Sequence, residues 1–464
     1  MDAQGRFLTG STMGHVVRMT ATGATGITFV FLVDAANLFW ISRLGDPLLM
    51  AAIGYAFAIQ FFTVSIGVGM MIATTALVSR SIGSGQPETA RGQATSALLM
   101  TFAVQALTAL LVVSLRDPIL RLAGAEGEAL RLAARYLAIS LPSLAIMAVG
   151  LCGSAALRAV GDGARAMYIT LSGGLVAMLL DPVLIYGLGM GLDGAALGLW
   201  AFRVVMAGVA LWFCIRAHDL LARPDLQTLR HTARPFFAVA LPAILTQMAA
   251  PAGNYLLTGV MAGFGDAAVA AWAVVNRLTV VAYGGLFSLA GAIGGIFGQN
   301  YGARQYARLR STYRDAVVFC VIYALVTWVL LVAVSGVVAR GFGLTGAAAE
   351  VLHSFTHVGA GGFVFAGLLF VCNAAFNTLG RPGRASALNW TKETVLMWPA
   401  ALWLAGTFAA DGVIYAQALV GAVMGAFAVV WGWRYVGAIG VENTPEVDLG
   451  TRRAYRDVNR YRRR

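Results

Sequence analysis

The stretch "FVFLVDAANLFWISRLG", residues 29–45, places one carboxylate inside an otherwise apolar run. A charged side chain at the centre of a bilayer costs about 2.5–3.5 kcal/mol on insertion scales. Asp34 is therefore either unremarkable, in a soluble helix, or functional, in a membrane helix. Composition decides. The chain has 464 residues, of which 59% are hydrophobic and 12% charged, against about 25% charged in a soluble domain. Its mean hydropathy is +0.76. Apolar runs of roughly 18 residues or more recur along the whole chain, each long enough for about 30 Å of hydrocarbon. They are continuous rather than alternating, which excludes a porin-like barrel. The fold class is an all-α polytopic membrane protein.

Breaks at Gly, Pro and charged residues predict twelve transmembrane spans near 13–42, 48–80, 88–115, 127–157, 164–188, 193–216, 233–262, 266–299, 305–338, 347–379, 384–408 and 411–439. Pro142, Pro182, Pro242, Pro251 and Pro399 lie inside spans and predict kinks. The formal charge of +12 comes from arginines gathered in alternate loops and the tail, so it orients the protein and excludes a nucleic-acid partner. Arg80 and Arg91, Arg158 and Arg165, Arg216 to Arg234, Arg304 to Arg314, and Arg381 and Arg384 occupy one set of loops. By the positive-inside rule this set faces the cytoplasm, as do both termini. The expected location is the cell inner membrane, with the first helix retained. Cys152, Cys214, Cys320 and Cys372 sit inside apolar segments without CxxC spacing and read as inert buried thiols.

The chain repeats itself. "SRSIGSGQPETARGQ" returns as "GQNYGARQYARLRST", and "ALRAVGDGARA" as "FNTLGRPGRAS". Gly83 aligns with Gly302 and Gly161 with Gly380, both at an offset of 219; "LGDPLLMAA" and "FGDAAVAAW" align at 220. An even number of crossings per half makes the two six-helix lobes parallel, which suggests a transporter with its pathway between them. The predicted organisation is a cytoplasmic N-terminus (1–12), a first lobe (13–216), an interlobe linker (217–232), a second lobe (233–439) and a basic cytoplasmic tail (440–464).

"LVDAANLFWISRLGDPLLMAAIGYA" resembles the first-helix signature of the MATE (multidrug and toxic compound extrusion) family. "ALRAVGDGARAMY", "LLDPVLIYGLGMGLDGAALG" and "FGQNYGAR" resemble that family's loop after helix four, its helix 5–6 signature and its loop after helix eight. Without NorM-like acidic positions in its second half, the chain is similar to the DinF-like, proton-coupled branch. The resemblance implies a V-shaped twelve-helix exporter that exchanges protons or sodium ions for amphipathic, often cationic, small molecules. It implies a transporter rather than an enzyme, working as a monomer in the bilayer without a cofactor. A flippase for lipid-linked precursors on the same superfamily fold is the alternative. Such a flippase needs a cation-lined cavity, and interior arginines are few here.

Acidic residues within spans are scarce, so each is informative. Asp34 in helix 1 and Asp181 in helix 5 can reach similar depth in the first lobe. Two carboxylates close together in low dielectric can hold a proton and release it when their exposure changes. At the repeat offset Asp34 falls on Asn254, and Asp181 falls near Ala400, so the second lobe lacks the pair. Tyr136 is a candidate member of this network by resemblance, with core packing the equal alternative. Relatives often carry an Asn and a Thr where this chain has Ala177 and Leu199. Fewer oxygen ligands favour H+ over Na+ as the coupling ion. Lys392 and Glu393, with Asn254, form a candidate second-lobe site; roughly 100° apart on an ideal helix, the two charges are not expected to pair. An ion pair of Glu393 with Arg277 is the alternative. Asp315 is expected to be solvated, and Arg203 to tie helices together. Phe57, Phe61, Met70, Tyr255 and Tyr283 are candidate linings of a substrate chamber. His353 and His357 stand one turn apart in helix 10, but no further ligand accompanies them and no metal site is expected. The glycines of "GGLFSLAGAIGGIFG" are expected to permit close helix packing.

Overall fold

A computed structural model describes residues 5–341 and 345–440; the predicted basic tail lies outside the described residues. Twelve long helical elements follow one another: α1 (Thr12–Ser42), α2 (Pro47–Gly83), α3 (Pro87–Ser114), α4 (Gly127–Val160), α5 (Gly163–Gly187), α6 (Gly191–Ala217), α7 (Leu226–Ala262), α8 (Asp266–Gly302), α9 (Tyr306–Gly341), α10 (347–378), α11 (382–408) and α12 (Asp411–Ala438). Eleven of these are long and apolar enough to cross a membrane. The twelfth, α11, is divided by a π-helical segment, Thr391–Leu396. A short helix, Arg116–Leu122, joins α3 to α4.

The prolines act locally. Pro142 sits in a 3-10 turn, Leu141–Ser143, that breaks α4. Helix α6 satisfies the carbonyls freed there: Trp200 Nε1 donates to the Ile139 carbonyl at 2.7 Å, and Arg203 Nη1 donates to the Ser140 carbonyl at 2.9 Å. The same guanidinium donates to Ser143 Oγ at 2.6 Å, so Arg203 ties α6 to α4. Pro182 precedes a π-helical end, Val183–Gly187. Helix α7 carries Pro242 and Pro251 without interruption.

The repeat is written into the backbone. Left-handed φ angles recur at Gly45 and Gly265, Gly85 and Arg304, Gly127 and Gly346, Gly161 and Gly380, and Gly191 and Ala409, offsets of 218–220. Each marks the same turn in each half. Packing repeats too: α1 on α5 matches α7 on α11, α2 on α4 matches α8 on α10, and α4 on α6 matches α10 on α12. Between the halves, α1 packs on α8 as α7 packs on α2, and α2 meets α8 across the pseudo-twofold.

Those contacts between halves gather at the arginine-rich end. A Cβ on Gly83 would lie 2.0 Å from the Gln299 carbonyl oxygen, and one on Gly302 would lie 2.2 Å from that of Arg80. Nearer the middle, Gly69 abuts the Ile244 backbone and Gly23 abuts Ser288. Within the glycine-rich stretch of α8, a Cβ on Gly295 would lie 2.7 Å from the Arg158 carbonyl oxygen and one on Gly298 1.8 Å from Ser79 Oγ, so these glycines allow close packing. Toward the opposite end Phe57, Phe61 and Tyr255 are exposed. The molecule is a V whose arms meet at the arginine-rich end.

Two expectations need correction. Asp315 is buried, not solvated: it accepts hydrogen bonds from Thr12 Oγ1 of α1 and from Arg314 Nη2 at 3.2 Å, because α9 packs against α1. The linker is shorter than predicted, since α7 begins at Leu226. Residues 219–222 are strapped to α3, where Arg91 Nη2 donates to Asp219 at 2.9 Å and to the Leu221 carbonyl at 3.1 Å. Thr95 Oγ1 exchanges hydrogen bonds with the Ala222 backbone. At the adjacent turn Asp162 caps α5 and accepts from Arg165 Nη1 at 2.6 Å and His218 Nε2 at 2.8 Å. Burial opposes its charge, but donation from His218 and Arg165 prevails and holds its carboxyl below the usual carboxylate range.

Two outcomes follow from this packing. Gly302→Val should lower the melting temperature in detergent by several degrees, since its side chain cannot clear the Arg80 carbonyl. Asp162→Asn should cost about 1–3 kcal/mol near neutral pH by leaving the Arg165 guanidinium unmatched. The depressed folded value means the carboxylate's contribution is complete above the ordinary carboxylate range and lost as pH falls through the folded value. The gap between wild type and variant should therefore close in melts run from about pH 7 down to about pH 3.

Candidate functional site

Helices α1 and α5 pack on each other, which ties Asp181 to α1 one turn from Asp34. Asp181 is buried at 2% exposure. Its Oδ2 accepts a 2.8 Å hydrogen bond from Asn37 Nδ2, one turn along α1 from Asp34. Its Oδ1 is buried and has no partner among the described residues. That oxygen presses against α6, where a Cβ on Gly198 would lie 1.8 Å away. Asp34 itself is exposed, with the Arg203 guanidinium of α6 within electrostatic reach. Tyr136 of α4 is buried and lies within the fields of Arg203, Asp181 and Asp34 together. One carboxylate thus has accessible surface and the other is sealed within the lobe. Asn37 lies between them.

Asn37 and Gly198 were missed by sequence reasoning. Asn37 could have been found, because it stands three residues after Asp34 and so shares its helix face. Gly198 carries no signal, since small residues are common in membrane helices.

The second-lobe residues differ from expectation in one respect. Lys392 Nζ donates to Glu393 Oε1 and the two side chains form an ion pair. The expectation that they would not pair assumed an ideal helix; the π-helical turn at Thr391–Leu396 changes the angle between successive side chains. Arg277 is not the partner of Glu393. Glu393 lies against Gly253 of α7, whose Cβ would fall 2.7 Å from Oε2. Asn254, the counterpart of Asp34, is exposed beside it.

The candidate chamber residues divide. Phe57, Phe61 and Tyr255 are exposed, and the two Phe rings lie 6.3 Å apart on successive turns of α2. Met70 and Tyr283, by contrast, are fully buried in this conformation. Met70 packs with Phe236 and Val239 where α2 meets α7. Tyr283 sits at a kink in α8, donates to the Ala360 carbonyl at 2.7 Å and stacks on Phe363 at 4.3 Å. The rings of His353 and His357 stack on each other at 3.8 Å. An apolar groove of about 790 Å³ between α1, α8 and α9 is lined by Met13, Val17, Phe319, Tyr323 and Val326. It begins roughly 25 Å along α1 from Asp34 and carries no acidic group.

Two parallel six-helix lobes joined at one end, with a buried carboxylate between helices, define a multi-pass membrane transporter. The MatE family profile matches residues 24–183 and 242–392, and the chain belongs to the MATE family of transporters. A Shewanella oneidensis protein named FAD transporter is 25% identical over 417 residues, covering 88% of this chain and 92% of that one. The multidrug export protein MepA of Staphylococcus aureus is 24% identical over 250 residues, about half of each chain. A solved mutant of the Vibrio cholerae MATE transporter VcmN superposes with a TM-score of 0.87 at 22% identity, covering 92% of this chain and 98% of that one. A multidrug resistance MATE family transporter solved in an outward-facing conformation gives 0.86 at 23% identity, with 93% and 98% covered.

Gly198→Ala should displace the Asp181 carboxylate and reduce gradient-driven transport in membrane vesicles more than tenfold, roughly what a misplaced reacting group costs. Gly208→Ala on the same helix, where a Cβ meets nothing within 4 Å, should transport as wild type.

Proposed function

We propose that this MATE transporter is a secondary exporter in which Asp34 and Asp181 carry the coupling proton. The observation that carries the reading is the buried Asp181 oxygen without a donor. An ionised carboxylate held in that way is expensive, and a proton on that oxygen removes the charge. Asn37 donates to the other oxygen and links the buried group to α1, where exposed Asp34 offers the route for proton exchange. The residues around the site fit a sodium ion less well. Ala177 and Leu199 bring no side-chain oxygen, and hard cations need several. Proton coupling accords with the sequence's resemblance to the DinF-like branch.

The arginine-rich loops are assigned to the cytoplasm of a cell inner membrane, with both termini inside. On that assignment the V opens outward, and Asp34 takes its proton from outside. Rocking of the lobes about their shared end then presents the cleft to each side in turn. The protein acts as a monomer in this scheme. Amphipathic cations are the first substrate class, supported by the similarity to MepA and by exposed Phe57, Phe61 and Tyr255, whose faces attract cations. A second reading, a flavin dinucleotide, is supported by similarity to the FAD transporter over nearly the full length of both chains.

The test is ethidium efflux from vesicles under a pH gradient or a sodium gradient imposed separately. A pH gradient alone should drive efflux, and Asp34→Asn should abolish it while the protein still inserts and melts normally. Efflux driven by sodium alone would reject the proton assignment, and normal export by Asp34→Asn would reject the role of Asp34.

A further inference from the structure

The closed end of the V holds a second charge pattern. Arg80 of α2 is 7% exposed at the seam between the lobes. Its guanidinium lies over the Tyr301 ring of the other lobe, 4.9 Å from the centroid. Its Nε and Nη2 are buried without any hydrogen-bond partner among the described residues. Arg158, at the end of α4, reaches the same face of α8: its Nη1 lies 3.0 Å from where a Gly291 Cβ would stand, and its carbonyl abuts Gly295. Neither arginine forms an ion pair with a carboxylate among the described residues, and no carboxylate acts on either. Arg158 is half-buried and Arg80 is buried; a buried guanidinium normally finds an acidic partner, because an unpaired buried charge is costly.

The repeat removes the architectural explanation. At the offset of 219, Arg80 corresponds to Gln299 and Arg158 to Asn377, and both are neutral amides buried near the same seam. Gln299 donates to the Ala159 carbonyl at 2.6 Å and accepts from the Phe7 backbone at 2.9 Å. An amide thus suffices for packing at this position. The first lobe carries cations where the second carries amides, and the seam that buries Arg80 is the one that must part for the transporter to open at this end.

We propose that Arg80 and Arg158 form an oxyanion-binding site for the exported solute, presented when the arginine-rich end opens, and that the solute is an elongated phosphate-bearing amphipath of the dinucleotide class. Their anchor points on α8, Gly291 and Tyr301, are roughly three turns apart, so a ligand that uses both guanidinia is long rather than a single phosphate. Arginine suits this role because its planar fork matches phosphate oxygens. The inference rests on the exporter reading above and selects between its two substrate classes.

The probe is FAD, bound at equilibrium to the purified full-length protein in detergent, with riboflavin as the counterpart that keeps the ring and lacks phosphate. FAD should bind at least tenfold more tightly than riboflavin, and the difference should shrink as salt is raised. Arg80→Gln and Arg158→Asn, which install the residues of the other lobe, should each weaken FAD about tenfold, the scale of one charge-assisted contact. Both should leave riboflavin binding unchanged and the melting temperature at or above that of the wild type, since Arg80→Gln removes an unpaired buried charge. Equal binding of FAD and riboflavin, no binding of FAD, or wild-type FAD affinity in both variants would each overturn the proposal. So would an equal loss of both ligands, which assigns the arginines to closing the seam. Asp34→Asn separates the two readings: it should stop gradient-driven export and keep FAD binding. Normal export by that variant removes the coupling assignment and leaves the binding result standing.

Discussion

Where α2 crosses α8 the lobes touch backbone to backbone. Gly83 faces the Gln299 carbonyl and Gly302 faces the Arg80 carbonyl, each too closely to admit a Cβ. In a bilayer, helices gain little from burying apolar surface against one another, because lipid is equally apolar. Close approach of small residues, with the dispersion contacts it allows, is what remains to hold two bundles together. Placing that contact at one end fixes the shape of the molecule. Helices α1 and α7 then flank the crossing symmetrically, packed on α8 and α2, and the far ends are left free to part. The exposed Phe57 and Tyr255, and the open face on which Asp34 lies, are consequences of where the glycines sit.

Much of this was legible in the sequence, for physical reasons that differ by residue. Helix number and the parallel repeat could be read because membrane spans are long and turns need particular residues. Gly161 and Gly380 both adopt φ near 90°, and glycine meets that requirement at least cost. Asp34 and Asp181 could be singled out because charge is rare in a span. Polar neutral groups gave no such warning, so Asn37 passed unnoticed although it makes the one side-chain hydrogen bond to the Asp181 carboxylate among the described residues. The burial of Met70 and Tyr283 could not be read in advance, because an apolar or aromatic residue in a uniformly apolar helix does not reveal which face it occupies. The Lys392–Glu393 pair was misread because a π-helical turn is a departure from regular spacing that sequence periodicity does not encode.

The comparison of halves carries more than the motifs do. A fold built twice from one plan shows which polar groups the scaffold requires, since those should appear in both copies. Position 34 carries a carboxylate and position 254 an amide; positions 80 and 158 carry guanidinium groups, and 299 and 377 carry amides. In all three cases the scaffold tolerates a polar group without charge. At these three positions the charge is confined to the first lobe, which points to work that the second lobe does not perform there. Arg203 is a counterexample that sharpens the rule. Its charge lies in the first lobe too, but it donates to the Ser140 carbonyl and to Ser143 at the Pro142 break, so packing already accounts for it.

The two sets of charges also differ in what the present conformation does to them. Asp34 is exposed, while Arg80 is buried with its Nε and Nη2 lacking hydrogen-bond partners among the described residues. In the proposed cycle, rocking the lobes reverses both conditions. Closing the cleft removes water from a carboxylate, which is costly unless it has taken a proton. Opening the other end returns water to a guanidinium, which is favourable. The two changes oppose each other, so the balance between conformations is set by small differences of a few kcal/mol, the range in which ligands shift populations. Protonation of the acidic pair lowers the cost of closing the cleft, and an oxyanion on the arginines lowers the free energy of the state that exposes them. Neither needs to push the lobes through a large barrier of its own making. Each has only to bind one end of the same seesaw more tightly in one position than in the other, which is the thermodynamic condition for coupling.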